Sequence, residues 1–145
     1  MKLFVENLSN VDVSYLDAKR GLVGESWLAG LVLTGNLDDQ SMICDFGIVK
    51  RNAKAWFDEY IDHRLVVPTQ MAGLHISKHE SLLTIKFPHP LGGEFVCSAP
   101  EQAFCLIDTD TINESTVATW LEKELSDSIP GDIDKLNVKL DCELM

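Results

Sequence analysis

The alternation of apolar and polar residues predicts two long strands at the start of the chain. In Lys2–Leu16 apolar residues alternate with polar ones, and Asn7–Asn10 interrupts the alternation as a bulge or kink does. The second strand lies within Arg20–Gly35 and has apolar residues on both faces from Trp27 onward. A strand of this kind is covered on both sides, so we expect helices or another subunit against it.

Two later stretches repeat their apolar residues at helical spacing. The first runs from Asp45, a good N-cap, to about Ile61, and its broad aromatic face predicts packing on a sheet. The second opens over Asp108–Thr111, where Thr111 and Glu114 have the spacing of a capping box. Its apolar stripe consists of Val117, Trp120, Leu121 and Leu125.

Short strands are predicted between and after the two helices. A meander is expected from Leu74–Ser77, Ser81–Phe87 and Glu94–Ser98, with a fourth short strand at Phe104–Ile107. A last strand is predicted where apolar residues alternate at Leu136, Val138 and Leu140. This order of elements predicts an α+β domain with antiparallel strands and with the helices on one face.

Composition and charge exclude several classes of partner. The 145 residues, the net charge of −11 and the pI near 4.6 are those of one acidic domain that binds neither nucleic acid nor an anionic membrane. No apolar run is long enough to span a bilayer. Glu6 interrupts the apolar start, so we expect no export signal and a cytoplasmic location. The four cysteines lack CxxC spacing and are expected to be core thiols.

Five segments occur in an order and spacing that resemble a known family. They read LFVENL, GESWLAGLVLTG, MICDFGIVK, IDHRL and ATWL. In this arrangement the chain is similar to the 6-pyruvoyl- and 6-carboxytetrahydropterin synthases. The resemblance implies the tunnelling fold for a single domain of residues 1–145, with an inserted β-meander at about 71–108. It also implies a homo-oligomer, a trimer or hexamer, with active sites between chains.

The resemblance further implies a zinc site, which this sequence does not supply. The three zinc-binding histidines of the family fall on Ser14 (to within about one residue), Val23 and Glu25. Valine has no lone pair, a serine hydroxyl is a poor ligand, and one carboxylate cannot hold zinc against water. We therefore expect no zinc and no other cofactor, and a zinc-dependent lyase reaction that is lost or altered.

Other family positions yield candidate catalytic residues. The catalytic Asp-His pair is present as Asp62 and His63, in which a carboxylate orients an imidazole. The alternative is that His63 only ends a helix, where its charged form is favourable, while Asp62 is solvated. Lys19 stands near the position of the catalytic cysteine and is either a proton-transfer group or a solvated turn residue.

The same comparison gives two candidate ligand-binding residues. Glu25 could accept hydrogen bonds from two adjacent ring N–H groups of a pterin- or purine-like heterocycle. It could equally accept from backbone amides of a neighbouring subunit, or pair with Arg20. The glutamate that anchors the pterin ring in the family falls near Cys142 and Glu143.

The remaining histidines carry weaker expectations. His75 and His79 are four residues apart, a spacing that would put two strand residues on one face. Ser77 and Lys78 between them are expected to enter a turn, and no third ligand accompanies the two histidines, so a metal there is disfavoured. His89 stands between two prolines and is expected in an exposed loop.

Three functional hypotheses follow. The first is a protein that binds a pterin- or purine-like heterocycle between subunits without the family's zinc chemistry. The second is an active lyase of the tetrahydropterin synthase type that uses a different metal site. The third is a non-catalytic, oligomeric interaction protein.

Overall fold

A computed structural model describes residues 2–35, 39–127 and 133–142, with the backbone alone at residues 3, 39–46, 133 and 134. The helices are α1 (Asp39–Tyr60) and α2 (Glu114–Ser126), with a 3-10 turn at Glu101–Ala103. The strands are β1 (Lys2–Asp17), β2 (Gly21–Gly35), β3 (Leu65–Pro68), β4 (His75–His79), β5 (Leu82–Pro88), β6 (Glu94–Pro100), β7 (Phe104–Ile107) and β8 (Ile133–Cys142).

Hydrogen bonds join the strands into two sheets. The larger sheet has the order β7-β3-β1-β2-β8, and the smaller sheet has the order β4-β5-β6. The predicted α+β fold class is therefore confirmed, and the three strands of the smaller sheet are the predicted meander. No helix in the described part of the chain is both long and apolar enough to cross a membrane.

One compact unit comprises Met1–Val11, Ser26–Glu59 and Glu114–Met145. In it β2 pairs antiparallel with β8, so that Ala29, Leu31 and Leu33 stand opposite Leu140, Val138 and Leu136. All six side chains are buried, as is Trp27. Helix α2 packs on β8, and Trp56 of α1 contacts Trp120 of α2 with ring centroids 5.4 Å apart. The buried stripes of both helices and the predicted face of β2 thus form the core of this unit.

Both predicted helix starts are wrong. Helix α1 begins at Asp39 and not at Asp45, because nothing between these two aspartates breaks a helix. Helix α2 begins at Glu114, which makes this residue part of the first turn rather than the third position of a capping box with Thr111.

The irregularity predicted in β1 is present. Asn7 has a left-handed φ of 52°, and the buried positions change parity from Val5 to Leu8 and back at Val11. A regular strand buries every second residue, so two changes of parity require a local irregularity on either side of Leu8. The strand nevertheless continues without a break from Lys2 to Asp17.

The other compact unit comprises Asp12–Glu25 and Tyr60–Asn113. Here β1 pairs parallel with β3, and β3 pairs parallel with β7, so the larger sheet is mixed and not wholly antiparallel. The short strand predicted at Phe104–Ile107 is confirmed as β7, and it pairs with β3 rather than with the meander. The meander covers a core formed by Leu16, Val67, Met71, Leu83, Ile85, Phe87 and Phe104.

Candidate functional site

The end of β1, the turn at 18–20 and the start of β2 bring together the side chains of Tyr15, Asp17, Arg20 and Glu25, a group that we call the strand mouth. Arg20 Nη2 donates a hydrogen bond of 2.5 Å to the hydroxyl oxygen of Tyr15. The guanidinium carbon also lies 5.7 Å from the centre of the Tyr15 ring, within cation–π range. The Tyr15 side chain is 4% exposed and that of Arg20 is 61% exposed. The pair therefore joins a buried phenol to a cation at the surface.

Asp17 fixes the conformation of the turn. Its Oδ2 accepts hydrogen bonds from the backbone N–H groups of Lys19 and Arg20, at 3.0 and 2.9 Å. The same oxygen lies 3.7 Å from Arg20 Nε, as an ion pair. This is the pattern by which an aspartate stabilises a tight turn. The Lys19 side chain is exposed in the turn, and within the described part of the chain it forms no ion pair with Asp62.

The pKa of Tyr15 reports on the surroundings of its hydroxyl. Burial raises the pKa above 10.0, the nearby Arg20 lowers it, and the charge of Glu25 raises it further. The effect of the Glu25 charge is weaker than those of burial and Arg20. Because successive residues of a strand point to opposite faces, Ser14 points away from the face of Tyr15. The sequence reasoning missed Tyr15 and chose Ser14, one residue away.

The other two sequence-predicted positions lie on β2. Val23 and Glu25 are both half-buried, and their spacing of two places them on one face of the strand. Where the resemblance implied three imidazoles, the chain therefore has the phenol of Tyr15 next to Ser14, the hydrocarbon side chain of Val23 and the carboxylate of Glu25. Arg20, a cation, is hydrogen-bonded to the phenol.

The predicted Asp62–His63 pair is in contact. His63 Nε2 lies 3.3 Å from Asp62 Oδ2, while Asp62 Oδ1 accepts a hydrogen bond from the backbone N–H of Asp12 at 2.9 Å. His63 has a left-handed φ of 62° and its own N–H donates to the carbonyl of Asp12 at 2.8 Å. The imidazole is 75% exposed. Asp62 thus stabilises the turn after α1 and orients His63. This geometry fits both the catalytic and the structural interpretation of the Asp62–His63 pair.

A second carboxylate, that of Asp12, accompanies this pair. Ligand atoms of Asp12, Asp62 and His63 all lie within 4.8 Å of one another. Asp12 and His63 are exposed, and both oxygens of Asp62 already have partners within the chain. Acidic groups gathered at a surface in this way are common without a bound ion, so the cluster alone does not define a metal site.

Near the end of β8, the carboxylate of Glu114 is bound by the side chain of Cys142. The Cys142 thiol donates a hydrogen bond of 2.6 Å to Glu114 Oε1. This bond lowers the pKa of the Glu114 carboxyl, with smaller contributions from its own backbone N–H and from Trp27. Trp27 and Cys142 are cross-strand partners, which explains why the three groups meet. Glu143, the predicted ligand-binding residue, lies outside the described residues.

The histidines of the meander differ from one another in their surroundings. His75 and His79 lie on one face of β4, but four residues along a strand separate them by about 13 Å, too far to share one ion. His89 lies in a loop, as predicted, but it is half-buried rather than exposed. A Cβ atom built on Gly21 would lie only 2.6 Å from His89 Nε2, so the ring packs directly on the turn of the strand mouth.

An open cleft lies on the face of β2 opposite to the buried one. Its volume is about 300 Å³. Apolar and charged residues line it together: Phe4, Glu6, Leu28, Gly30, Val32, Lys139 and Asp141. The sequence predicted that helices or another subunit would cover both faces of β2. In the described part of the chain this face is half-exposed, so the chain's own helices do not cover it.

The comparisons with known proteins agree on the fold alone. No family model and no curated protein matches the sequence. Among solved structures, 6-pyruvoyltetrahydropterin synthase of Plasmodium vivax matches with a TM-score of 0.75 over 97% of this chain and 90% of that chain. This chain has the fold of 6-pyruvoyltetrahydropterin synthase. The sequence identity is 19%.

Two further findings accompany that match. The Plasmodium falciparum 6-pyruvoyltetrahydropterin synthase matches with a TM-score of 0.74 and 17% identity, over the same shares of the two chains. Mutants of the P. vivax protein match equally well, and in them a glutamate described as a catalytic residue is replaced by alanine or by cysteine. The predicted tunnelling fold is therefore confirmed.

Proposed function

We propose that this protein binds a pterin- or purine-like heterocycle at the strand mouth, and that the zinc-dependent lyase reaction implied by the family resemblance is lost or altered. The observation that carries the proposal is the hydrogen-bonded pair of Tyr15 and Arg20 beside Glu25. Glu25 stands at one of the positions where the resemblance implied metal ligands, and Tyr15 lies within one residue of another. They are suited to an organic ligand with several hydrogen-bonding groups.

The donor set argues against zinc. Burial raises the pKa of Tyr15, so its phenol is neutral at physiological pH and offers a poor ligand atom. Val23 offers none. The guanidinium of Arg20, hydrogen-bonded to that phenol, would also repel a dication across a few ångströms. Asp17, the other carboxylate of the strand mouth, is engaged by the amides of its own turn and by Arg20. One carboxylate, Glu25, cannot hold zinc, so the residues of the strand mouth do not fit the metal.

The same residues suit a planar heterocycle. A carboxylate has two acceptor oxygens and can bind two adjacent N–H groups at once, as it binds the fork of an arginine. Pterins and guanine-like purines present such an edge. That a glutamate is a catalytic residue in the P. vivax synthase supports a functional carboxylate within this fold. Glu25 is our candidate for that role, with Asp62 and His63 as a pair able to transfer a proton.

We also propose a homo-oligomer, a trimer or a hexamer, with the ligand bound between subunits. The half-exposed apolar face of β2 supports this, because apolar surface of that kind is suited to a subunit contact. Among the described residues, Cys97, Cys105 and Cys142 form no disulfide, which suits a reducing compartment such as the cytoplasm.

Fluorescence titration of pterin with the purified protein tests the proposed function. We expect saturable binding that weakens about tenfold or more in Glu25→Gln, because the variant loses a charge-assisted hydrogen bond. Glu94→Gln, the same change at an exposed position on β6, is the matched control and should leave the affinity unchanged. Unchanged affinity in Glu25→Gln would contradict the assignment.

Two further assays separate the alternatives. The proposal predicts no turnover of dihydroneopterin triphosphate and no stoichiometric metal in the purified protein. Metal-dependent turnover that is lost in Asp62→Asn would favour a lyase with a different metal site. Neither binding nor turnover would favour an interaction protein.

A further inference from the structure

The cleft on the half-exposed face of β2 owes its shape to an irregularity in the neighbouring strand. In β1, Glu6 and Asn7 are both exposed although they are consecutive, and Asn7 has a left-handed φ of 52°. A Cβ built on Gly30, which lines the cleft, would lie 2.9 Å from the backbone oxygen of Val5. A side chain at Gly30 would displace β1, so the backbone of the two strands shapes the cleft.

The apolar part of this cleft faces solvent in the single chain. Phe4 of β1 is 62% exposed, and Leu28 and Val32 of β2 are half-buried. All three side chains line the cleft. Exposed apolar surface with a polar rim marks a site of contact with another molecule, and aromatic side chains are enriched in contacts between proteins. We therefore expect this face to be covered in the assembled protein.

The rim of the cleft carries charges of both signs. Strands β1 and β8 flank β2 in the sheet. Glu6 lines the cleft from β1, and Lys139 and Asp141 line it from β8. All three side chains are exposed, and the ion pairs of the described residues involve none of them. A face that carries one cation beside two carboxylates is complementary to another copy of itself.

We propose that this face docks against the same face of a second copy of the chain. Lys139 of one copy forms an ion pair with Glu6 or Asp141 of the other, and the apolar side chains of the cleft, that of Phe4 above all, exclude water from the contact. This inference rests on the proposed homo-oligomer and assigns one of its contacts. With a net charge of −11, two copies repel each other over most of their surface. The ion pairs of Lys139 offset this repulsion locally and fix the register of the two faces.

Exchange of the charges tests this pairing. Lys139→Glu makes the charged rim wholly acidic, and the double variant Glu6→Lys, Asp141→Lys makes it wholly basic. Because like charges then meet across the contact, each variant alone should associate about tenfold or more weakly than wild type, as measured by light scattering over a range of concentrations. An equimolar mixture of the two variants should regain most of this loss, because opposite charges face each other again. Native mass spectrometry should then show both variants in one complex.

Controls separate the contact between copies from the fold of each copy. Lys54→Glu, the same change at an exposed position on α1, should leave the association unchanged. The circular dichroism spectra of all variants should match that of wild type, because exposed substitutions rarely alter stability. In the wild-type protein, a carbodiimide joins an amine to a carboxylate that it contacts directly. It should yield covalent dimers linked through Lys139, a result that does not depend on how well any variant folds.

The possible outcomes separate this inference from the proposed function. If both charge variants associate as wild type does and no covalent dimer forms through Lys139, the contact lies elsewhere and the inference is overturned, while the homo-oligomer stands. A mixture that associates no better than either variant alone would overturn it too. A wild-type monomer whose cleft binds an apolar fluorescent dye, with the binding lost in Phe4→Ala, would identify a small-molecule site and overturn both the inference and the homo-oligomer. The pterin titration tests the strand mouth independently of all these results.

Discussion

Replacing Gly21 by alanine tests how the strand mouth is built. The φ of 80° at Gly21 costs an L-residue about 1–2 kcal/mol. The added Cβ would lie 2.6 Å from His89 Nε2, so the ring must move out of its packing position, at a cost of about 1–2 kcal/mol. We expect a total loss of about 2–4 kcal/mol and a melting temperature lower by on the order of 10 °C, as measured by urea and thermal denaturation.

The chain supplies its own control for this experiment. Gly24 lies three residues further along the same strand and has no positive φ, and a Cβ added there would have no neighbouring atom within 4 Å. Gly24→Ala should therefore leave stability unchanged or raise it by about 0.5–1 kcal/mol. In a His89→Ala background, Gly21→Ala should cost only the backbone part. If Gly21→Ala and Gly24→Ala prove equally stable, the proposed contact between the loop and the turn is wrong.

Three further predictions concern the compact unit formed by Met1–Val11, Ser26–Glu59 and Glu114–Met145. Cys142→Ala should lower stability at neutral pH, because it removes the hydrogen bond that lowers the pKa of Glu114. A lowered carboxyl pKa stabilises the fold only while the carboxyl is ionised, so the difference from wild type should shrink as the pH falls below 4.5. Urea denaturation midpoints measured across pH test this. A Cβ on Gly30 would lie 2.9 Å from the backbone oxygen of Val5, which cannot move aside as a side chain can, so Gly30→Ala should cost about 1–3 kcal/mol in urea denaturation. Val32→Asp should reduce the mass of the oligomer in light scattering while the circular dichroism spectrum of the protein stays unchanged, and an unchanged mass would place the subunit contact elsewhere.

The elements with strong periodicity were predictable from the sequence. Trp27, Leu31 and Val138 lie on buried faces as their alternation indicates, since one face of a strand must be apolar to form a core. The meander was predictable because short alternating runs are separated by turn residues. Helix starts were not, because several aspartates and threonines near each start have similar capping propensity.

The pairing between strands that are distant in sequence could not be derived from the sequence. The parallel pairing of β3 with β1 and β7 depends on how the chain crosses the sheet, and no local pattern encodes it. The same limit applies to the strand mouth. Whether Ser14 or Tyr15 meets Arg20 depends on strand parity, which the irregularity around Asn7 obscures. The approach of His89 to Gly21 depends on the tertiary position of a loop 68 residues away in sequence, so only a structure could find it.

The zinc content of the purified protein tests the central claim most directly, namely that the strand mouth is built for an organic ligand and not for a metal. The protein would be produced in zinc-supplemented medium, purified without chelators and analysed by mass spectrometry of the metal. The account predicts far less than one zinc per chain, with no difference between wild type and Glu25→Gln. One zinc per chain in wild type that disappears in Glu25→Gln would contradict it.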